Sequence, residues 1–403
     1  YGYEELLEKT TSELNDLVGK TWEEFLLLEA EDVIDLKMDP TNEKKPLLSR
    51  ILPTSVSRLK AAFIYAKTPA SSAWTYAHEL GRLYLEQAFP DEITTFYYDN
   101  ATQENIDDYI EAAINCGSNI IFTTSPSFAQ ASVKAAIENP EVRILNCSLN
   151  TSHRYIRTYY ARMHEAKFLM GALAGALTTN DKLAYVGDYP IYGSIANINA
   201  FAIGAKMVNP RAKVYLEWSS MKDIDIAERL KEIGAGCISG IPEESTREFG
   251  IYALDGEHTR SLAMPLWHWG KFYEQLIRTI MDGTWKYDDN SYEKRAINYW
   301  WGMSAGVIDV ICSKNIPGET KRLIELLKQS IVSQQFSPFS GILYSQNGMV
   351  QGDPKRSLTP EEIITMDWLA ENVVGIIPKT EDLQEQAKPV TLQQGVNKEK
   401  GQI

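Results

Sequence analysis

Residues 154–218 read RYIRTYYARMHEAKFLMGALAGALTTNDKLAYVGDYPIYGSIANINAFAIGAKMVNPRAKVYLEW, and this stretch decides the fold. Tyr155, Ile156, Tyr159 and Tyr160 are spaced like the end of a strand. The Ala-, Leu- and Gly-rich run from Glu165 to Leu177 predicts a helix. Small residues at Gly171, Ala174 and Gly175 would let it lie close to a sheet, and Asn180-Asp181 would stop it. Leu183–Val186 then reads as a short buried strand, and Gly187-Asp188-Tyr189-Pro190 turns at its C-terminal end. A second helix, roughly Ser194 to Val208, leads to another strand at Val214–Glu217. Strand–helix–strand–helix–strand is the unit of a parallel sheet, and such sheets bind ligands outside the carboxyl ends of their strands. Asp188 and Tyr189 stand at one of those ends.

Towards the N-terminus the same alternation continues. Ala61–Tyr65, Ile93–Tyr98, Asn119–Thr123 and Val142–Cys147 read as strands, separated by helices at Ala73–Ala88, Glu104–Asn115 and Phe128–Glu138. Towards the C-terminus, helix Ile224–Ile233 and strand Ile251–Leu254 extend the second lobe. The chain is then expected to cross back through Ser261–Leu266 into helix Phe272–Met281. Ile297–Trp301 and Phe339–Tyr344 read as hinge or edge strands around helix Glu319–Val332. The expected architecture is α/β, two lobes each built on a doubly wound parallel sheet, closing on a ligand by hinge motion. Its parts are an N-terminal helical extension (1–57), lobe one (58–160), lobe two (161–263), crossover segments shared by both lobes (264–345), and a C-terminal helix with a polar tail (346–403). The tail is expected to be loose from Lys379 onward.

Composition bounds the chemistry. The 403 residues suffice for two or three domains, and 44% hydrophobic with 23% charged residues is ordinary for a globular protein. A formal charge of -14 argues against nucleic acid and anionic lipid as partners. No apolar run reaches the ~18 residues of a membrane span. The chain begins at Tyr1 without Met, so a trimmed piece is expected and the absence of a signal peptide says nothing about export. The four cysteines, Cys116, Cys147, Cys237 and Cys312, lack metal-ligand spacing and read as buried free thiols.

An enzyme would need a nucleophile, a base or a metal set. His78, His153, His164, His258 and His268 are scattered without an HExxH pattern. GALAGAL lacks the GxGxxG register, and Asp223-x-Asp225 is too little for calcium. The sequence offers no catalytic constellation, metal site or cofactor.

Several blocks together carry a resemblance: AWTYAHELGR (73–82), FTTSPSF (122–128), YYARMHEAKFLMGALAGALT (159–178), YVGDYP with NINAFAIGAKMVNP, MPLWHWGKFY (264–273), DGTW (282–285) and WWGMSAGVIDV (300–310). In order and spacing the chain from about Leu59 to about Gly375 resembles the BMP (basic membrane protein) family, substrate-binding lipoproteins of ABC transporters. The resemblance implies a periplasmic-binding-protein-like clamshell of type I, a purine nucleoside or related nucleobase as ligand, a permease partner, and an extracytoplasmic, membrane-anchored lipoprotein. The rival expectation is a sensor, the same clamshell fused through its N-terminal helices to a signalling module.

Ten residues are candidates for ligand contact. Trp74, just after the first strand, would stack on a planar ligand, or else anchor the core. The family usually has an acidic residue three positions before this Trp, where Ser71 stands here. Thr124, Ser125 and Phe128 end the third strand, where hydroxyls suit a neutral polar ligand or simply cap a helix. Asp188, Tyr189 and Asp255 are expected on one rim of lobe two, the carboxylates accepting from hydroxyls or amines unless they only form turns. In relatives the position matching Asp255 contacts the sugar, as the resemblance implies. Trp267 and Trp269 share one strand face and border the cleft or pack the hinge, and Lys271 is a donor from the hinge or a solvated lysine. Asn199 and Phe201 read as structural. Gly240–Ser245 is shorter than the ligand-facing loop of relatives, so contacts expected there are missing or supplied differently.

Overall fold

The computed structural model describes residues 58–149, 155–240, 249–255, 258–283, 285 and 299–396. The helical extension expected over 1–57 lies outside the described residues. By its contacts the chain from Leu59 onward is one compact unit. Numbered along the chain, the first elements are β1 (Leu59–Ile64), α1 (Ala73–Ala88), β2 (Ile93–Tyr98), α2 (Ile106–Asn115), β3 (Ile120–Thr123), α3 (Ala129–Glu138), β4 (Arg143–Cys147) and β5 (Arg157–Ala161). There follow α4 (Met163–Leu177), β6 (Lys182–Gly187), α5 (Ser194–Val208), β7 (Lys213–Trp218), α6 (Ile226–Ile233), β8 (Cys237–Ser239), β9 (Ile251–Asp255) and β10 (His258–Trp267). The last are α7 (Trp269–Met281), β11 (Tyr299–Trp301), β12 (Ile308–Cys312), α8 (Gly318–Val332), β13 (Leu343–Ser345), β14 (Gly348–Gln351), α9 (Pro360–Ile364), β15 (Val373–Val374) and α10 (Lys388–Gln394).

Two main sheets result. The first runs β11-β5-β4-β3-β1-β2 and is parallel throughout. The second runs β12-β10-β9-β8-β6-β7-β15. Here β6, β7, β8 and β15 are parallel, whereas β9 is antiparallel to β8, β10 to β9 and β12 to β10. The two-lobed α/β architecture holds, with a mixed second sheet where a fully parallel one was expected. The reason is chain length. Only the eleven residues Gly240 to Gly250 join β8 to β9, and a parallel crossover needs a dozen or more. The strand therefore returns alongside its neighbour.

The chain passes between the sheets three times, from β5 into α4, from β10 into α7, and from β11 to β12. Helix α7 belongs with the first sheet, for Tyr273 packs on Phe63 and Phe122 at 5.1 and 4.7 Å between ring centroids. The return segments are held at their crossing. Arg162 Nε donates to the Trp300 carbonyl at 3.1 Å, and the buried Glu165 carboxylate accepts from the Met303 N–H at 2.7 Å.

The small residues of α4 face a helix, not a sheet. A Cβ on Gly171 would stand 2.0 Å from the Phe201 carbonyl oxygen, and one on Gly204 would stand 2.1 Å from that of Phe168. Glycine lets α4 and α5 touch backbone to backbone at those two points. Asn199, wholly buried, donates to the Trp368 carbonyl at 2.6 Å and accepts from the Ala370 N–H at 2.8 Å, which fixes the later chain to α5. Cys147 and Cys237 are buried free thiols, Cys312 is half-buried, and Cys116 is exposed instead of buried because it caps the solvent end of α2.

Two other expectations change. Phe339–Tyr344 joins neither main sheet, since β13 pairs with β14 in a separate hairpin. The polar tail is not loose over 379–396. Leu383, Ala387, Val390, Thr391 and Gln394 are buried, Met221 pairs with Leu383, and Ile191 pairs with Gly395. Their spacing puts one apolar stripe against lobe two, which outweighs the polarity of the residues between.

Candidate functional site

A cavity of about 350 Å³ opens between the carboxyl ends of the two sheets. On the lobe-one side Ser72 caps α1 by accepting the Thr75 N–H at 3.3 Å, which places Trp74 in the first turn of the helix at the cavity wall. The indole N–H donates to the Thr124 carbonyl at 2.9 Å, fixing the plane of the ring. Trp267, Trp269 and His78 meet it edge-on with centroids 4.8–5.5 Å away. Tyr160 and Phe249 stand 5.7 and 6.0 Å away, each inclined by 31°. Trp74 is thus both a core contact and a cavity wall, and the two readings of its sequence position merge.

The end of β3 is occupied with its own backbone. Thr124 Oγ1 donates to the Ile64 carbonyl at 3.1 Å, and Ser125 Oγ accepts the Ser127 N–H at 3.3 Å. Both residues line the cavity, but Ser125 acts as a cap. Phe128 does not line it. The short turn Pro126–Phe128 directs the ring into the apolar cluster of Ala62, Ile64, Ile106 and Ile121, where it is 1% exposed.

On the lobe-two side β6 delivers Asp188 and Tyr189 to the cavity, as expected. Ser194 Oγ donates to the Tyr189 carbonyl at 2.7 Å and steadies the turn. Ser219 Oγ donates to Asp188 Oδ1 at 3.3 Å, and Ser220 Oγ donates to the Asp188 carbonyl. Crowding by the cleft walls pushes the Asp188 carboxyl up to about 6, against the hydrogen bond from Ser219 and the charge of Lys67. The carboxylate still meets water through the cleft mouth.

Asp255 is at the opposite end of the sheet's strands. Leu183 pairs with Cys237 and Cys237 with Ala253, so Asp255 lies level with the start of β6, not its end. By strand rise that is on the order of 20 Å from Asp188. The antiparallel turn of β9 causes this, and it brings Phe249 to the cleft instead. Trp267 and Trp269 are both buried behind Trp74 and do not line the cavity, because the chain changes from strand to helix between them. Lys271 packs against Gly306 on the return segment, away from the cavity lining. Burial pushes its ammonium down to about 8, with Asp309 opposing.

Among the lining residues that escaped the sequence reading, four stand out for their chemistry. Tyr160 and Phe249 are aromatic neighbours of Trp74 supplied by distant segments. Lys67 follows β1 in a loop that the strand pattern places at the cleft. Lys167 is a buried lysine in the mostly apolar α4, and that oddity was its signal. It donates to Ser239 Oγ at 3.1 Å and to the Phe249 carbonyl at 3.0 Å, with its charge 5.2 Å from the Tyr185 ring.

Residues 58–234 match the sequence pattern of Bmp, described as ABC transporter substrate-binding protein PnrA-like. Over that stretch the chain is similar to the Bmp family. The Bmp match ends at Gly234, just before the sheet turns antiparallel. The chain is 27% identical over 309 residues to a purine-binding protein of Brucella abortus, covering 72% of this chain and 86% of that protein. It is 22% identical over 347 residues to a Haloferax volcanii protein whose name assigns it, provisionally, to glucose binding for an ABC transporter, covering 81% and 83%. Basic membrane protein A2 of Borrelia garinii is 24% identical over 249 residues, covering 56% and 73%. An ABC transporter solute-binding protein from Aeropyrum pernix shares the fold with a TM-score of 0.51 at 12% identity, covering 70% of this chain and 93% of that one. Among the described residues no helix is long and apolar enough to cross a membrane.

Proposed function

We propose that this protein captures a purine nucleoside or free purine base between its lobes and hands it to the permease of an ABC importer, held at the membrane as a lipoprotein. The observation that carries this reading is the indole of Trp74 at the cavity wall, its plane fixed by Thr124 and flanked by the rings of Tyr160 and Phe249. A rigid aromatic wall binds a flat ring at little entropic cost. The name of the Brucella relative supports a purine, and that of the Haloferax relative makes a sugar the competitor.

Capture works by closure. In this reading 58–160 and 161–263 form the two lobes. The segment 264–345 crosses between them and 346–403 packs beside lobe two. The three crossovers serve as the hinge, and ligand between Trp74 and Asp188 favours the closed arrangement. Calorimetry with adenosine, inosine, adenine, hypoxanthine, riboflavin and glucose tests the reading. Saturable binding of purine compounds is expected. Binding of glucose with no heat from any purine would overturn it.

A further inference from the structure

A separate cavity of about 350 Å³ lies on the far side of the crossovers from the cleft, and the two share no lining residue. Only the crossing chain divides them. Around the start of α4, Tyr160 and Met163 face the cleft, whereas Arg162, His164 and Glu165 line the cavity behind. Its walls come from both lobes. Trp300 belongs to β11, at the edge of the first sheet. Phe336 and Ser337 follow α8, and Leu358 and Ile363 lie at α9. Those later segments are fixed to lobe two. Phe336 packs on Phe168 of α4 at 5.1 Å between ring centroids, and the Ile364 carbonyl accepts the Gly193 N–H at 2.9 Å.

A rotation that narrows one side of a hinge widens the other. Closing the cleft therefore draws the lobe-two wall away from Trp300, and opening the cleft squeezes the cavity. A molecule lodged there resists opening and favours the closed arrangement.

The wall also selects by chemistry. Glu165 is 6% exposed, and its Oε2 accepts the Met303 N–H at 2.7 Å. A Cβ on Gly302 would stand 2.3 Å from that same oxygen, so glycine lets the return segment lie directly on the carboxylate. Oε1 stands 3.7 Å from Arg162 Nη1, too far for a hydrogen bond. A buried carboxylate oxygen lacking a close donor among the described residues is a place for one. Arg162 balances the charge of Glu165 and is itself held, with Nε on the Trp300 carbonyl at 3.1 Å and the guanidinium 5.1 Å from the Trp300 ring. His164, pushed down to about 3 by burial, adds no charge. Trp300, Ile331, Phe336 and Ile363 supply apolar surface. This combination suits a small uncharged aromatic molecule with one N–H or O–H donor. An ammonium or a carboxylate would each meet like charge.

We propose that the cavity behind the crossovers is a regulatory site, where a small uncharged aromatic molecule lies beside Trp300 and Phe336, donates one hydrogen bond to Glu165 and holds the hinge towards its closed form. The two sites are then coupled, so that each ligand strengthens the other. The inference uses the hinge of the reading above but not its purine.

Indole is the probe, being flat, uncharged and equipped with one N–H donor. Calorimetry on the full chain should show it binding, and small-angle scattering should show a smaller radius of gyration at saturating indole with no other ligand present. Tryptamine and indole-3-acetate, its charged analogues, should leave the radius unchanged. Ser337→Trp puts a tethered indole in the same cavity. The Ser337 carbonyl, not its hydroxyl, holds Ser340, at 3.2 Å from the N–H and 2.7 Å from the hydroxyl. This variant should be smaller than the wild type without any ligand and should no longer respond to indole. A melting curve checks its fold, and Ser304→Trp, entering from the crossover, is the second filler should Ser337→Trp not fold. Indole should also lower the Kd for adenosine about fivefold, an ordinary coupling between two sites. No binding of indole, or an unchanged radius at saturation, would overturn the site. A response that survives in the filled variant puts the indole in the cleft and overturns it equally. If adenosine itself does not bind, the purine reading falls while the scattering still decides this one.

Discussion

Gln394, on a helix that packs against lobe two, donates its side-chain amide to the carbonyl of Pro126 in lobe one at 2.8 Å. The same helix end is pinned to lobe two, where the Tyr192 N–H donates to the Gln394 carbonyl at 3.0 Å. One residue therefore bonds both sides of the cleft. Gln394→Ala should cost about 1 kcal/mol of stability, the net worth of one hydrogen bond. It should also raise the radius of gyration of the ligand-free protein, because the lobes lose a tie. Small-angle scattering and a melting curve measure the two effects. An unchanged radius in the variant would mean that the contact follows the closure of the cleft and does not help to hold it.

Trp74 is expected to report on binding and folding together. Trp74→Ala removes a stacking face, worth roughly 1–3 kcal/mol of ligand affinity. It also empties a nest shared with Tyr160, Trp267 and Trp269, at roughly 3–5 kcal/mol of stability at most. Trp74→Phe should keep part of both but leave the Thr124 carbonyl without its donor. Calorimetry and thermal melts on the same samples give both quantities. A large drop in melting temperature with unchanged affinity would remove Trp74 from the ligand.

What the sequence made legible follows from what controls each element. Helices α4 and α5 were readable because apolar runs of that length, with stop signals after them, have few alternatives. The partner of Gly171 was not, since spacing shows that a backbone comes close but not which one. The direction of β9 was readable in principle from the short connection between Ser239 and Ile251. The apolar run Ile251–Leu254 nonetheless looks the same in either direction, so Asp255 was expected at the wrong end of the strands. The C-terminal segment was missed for its polarity, although Leu383, Ala387 and Val390 repeat at helical intervals. Phe249 and Tyr160 could not be found locally, because only the folded chain brings them to Trp74.

Asp188 gives a pH signature of known sign. Its carboxyl is pushed up from the usual carboxylate range to about 6 by crowding in the cleft. Between its unfolded value of about 3.9 and that folded value the native state holds more protons than the unfolded state. Stability therefore falls as pH rises through this window, and the penalty is fully present above it. Asp188→Asn should melt higher than the wild type at pH 7.5, with the gap closing below pH ~4. Water access through the cleft mouth keeps the effect modest. Melting curves from pH 4 to 8 decide the matter, and a gap that widens towards acid would reverse the assignment.

The buried histidines act in the opposite sense and should dominate. Burial pushes His164 down to about 3, with Arg162 adding to it, and His268 down to about 4, with Lys271 and Lys328 adding and Asp309 opposing. His78, stacked on Trp269 at 4.6 Å, is likewise held well below its ordinary value by burial. All three fold neutral. Below pH ~6.5 the unfolded chain takes up protons that the native chain refuses, so stability present above that pH is lost steadily towards pH 3 to 4. For His164, wedged between Trp300 and Phe339, the loss by pH 4 is on the order of 2–3 kcal/mol. His164→Gln should start less stable at pH 8, through poorer packing, yet lose less on acidification. Urea titrations at pH 8, 6 and 4 compare the slopes. Parallel pH profiles for variant and wild type would show that His164 is already charged in the native protein.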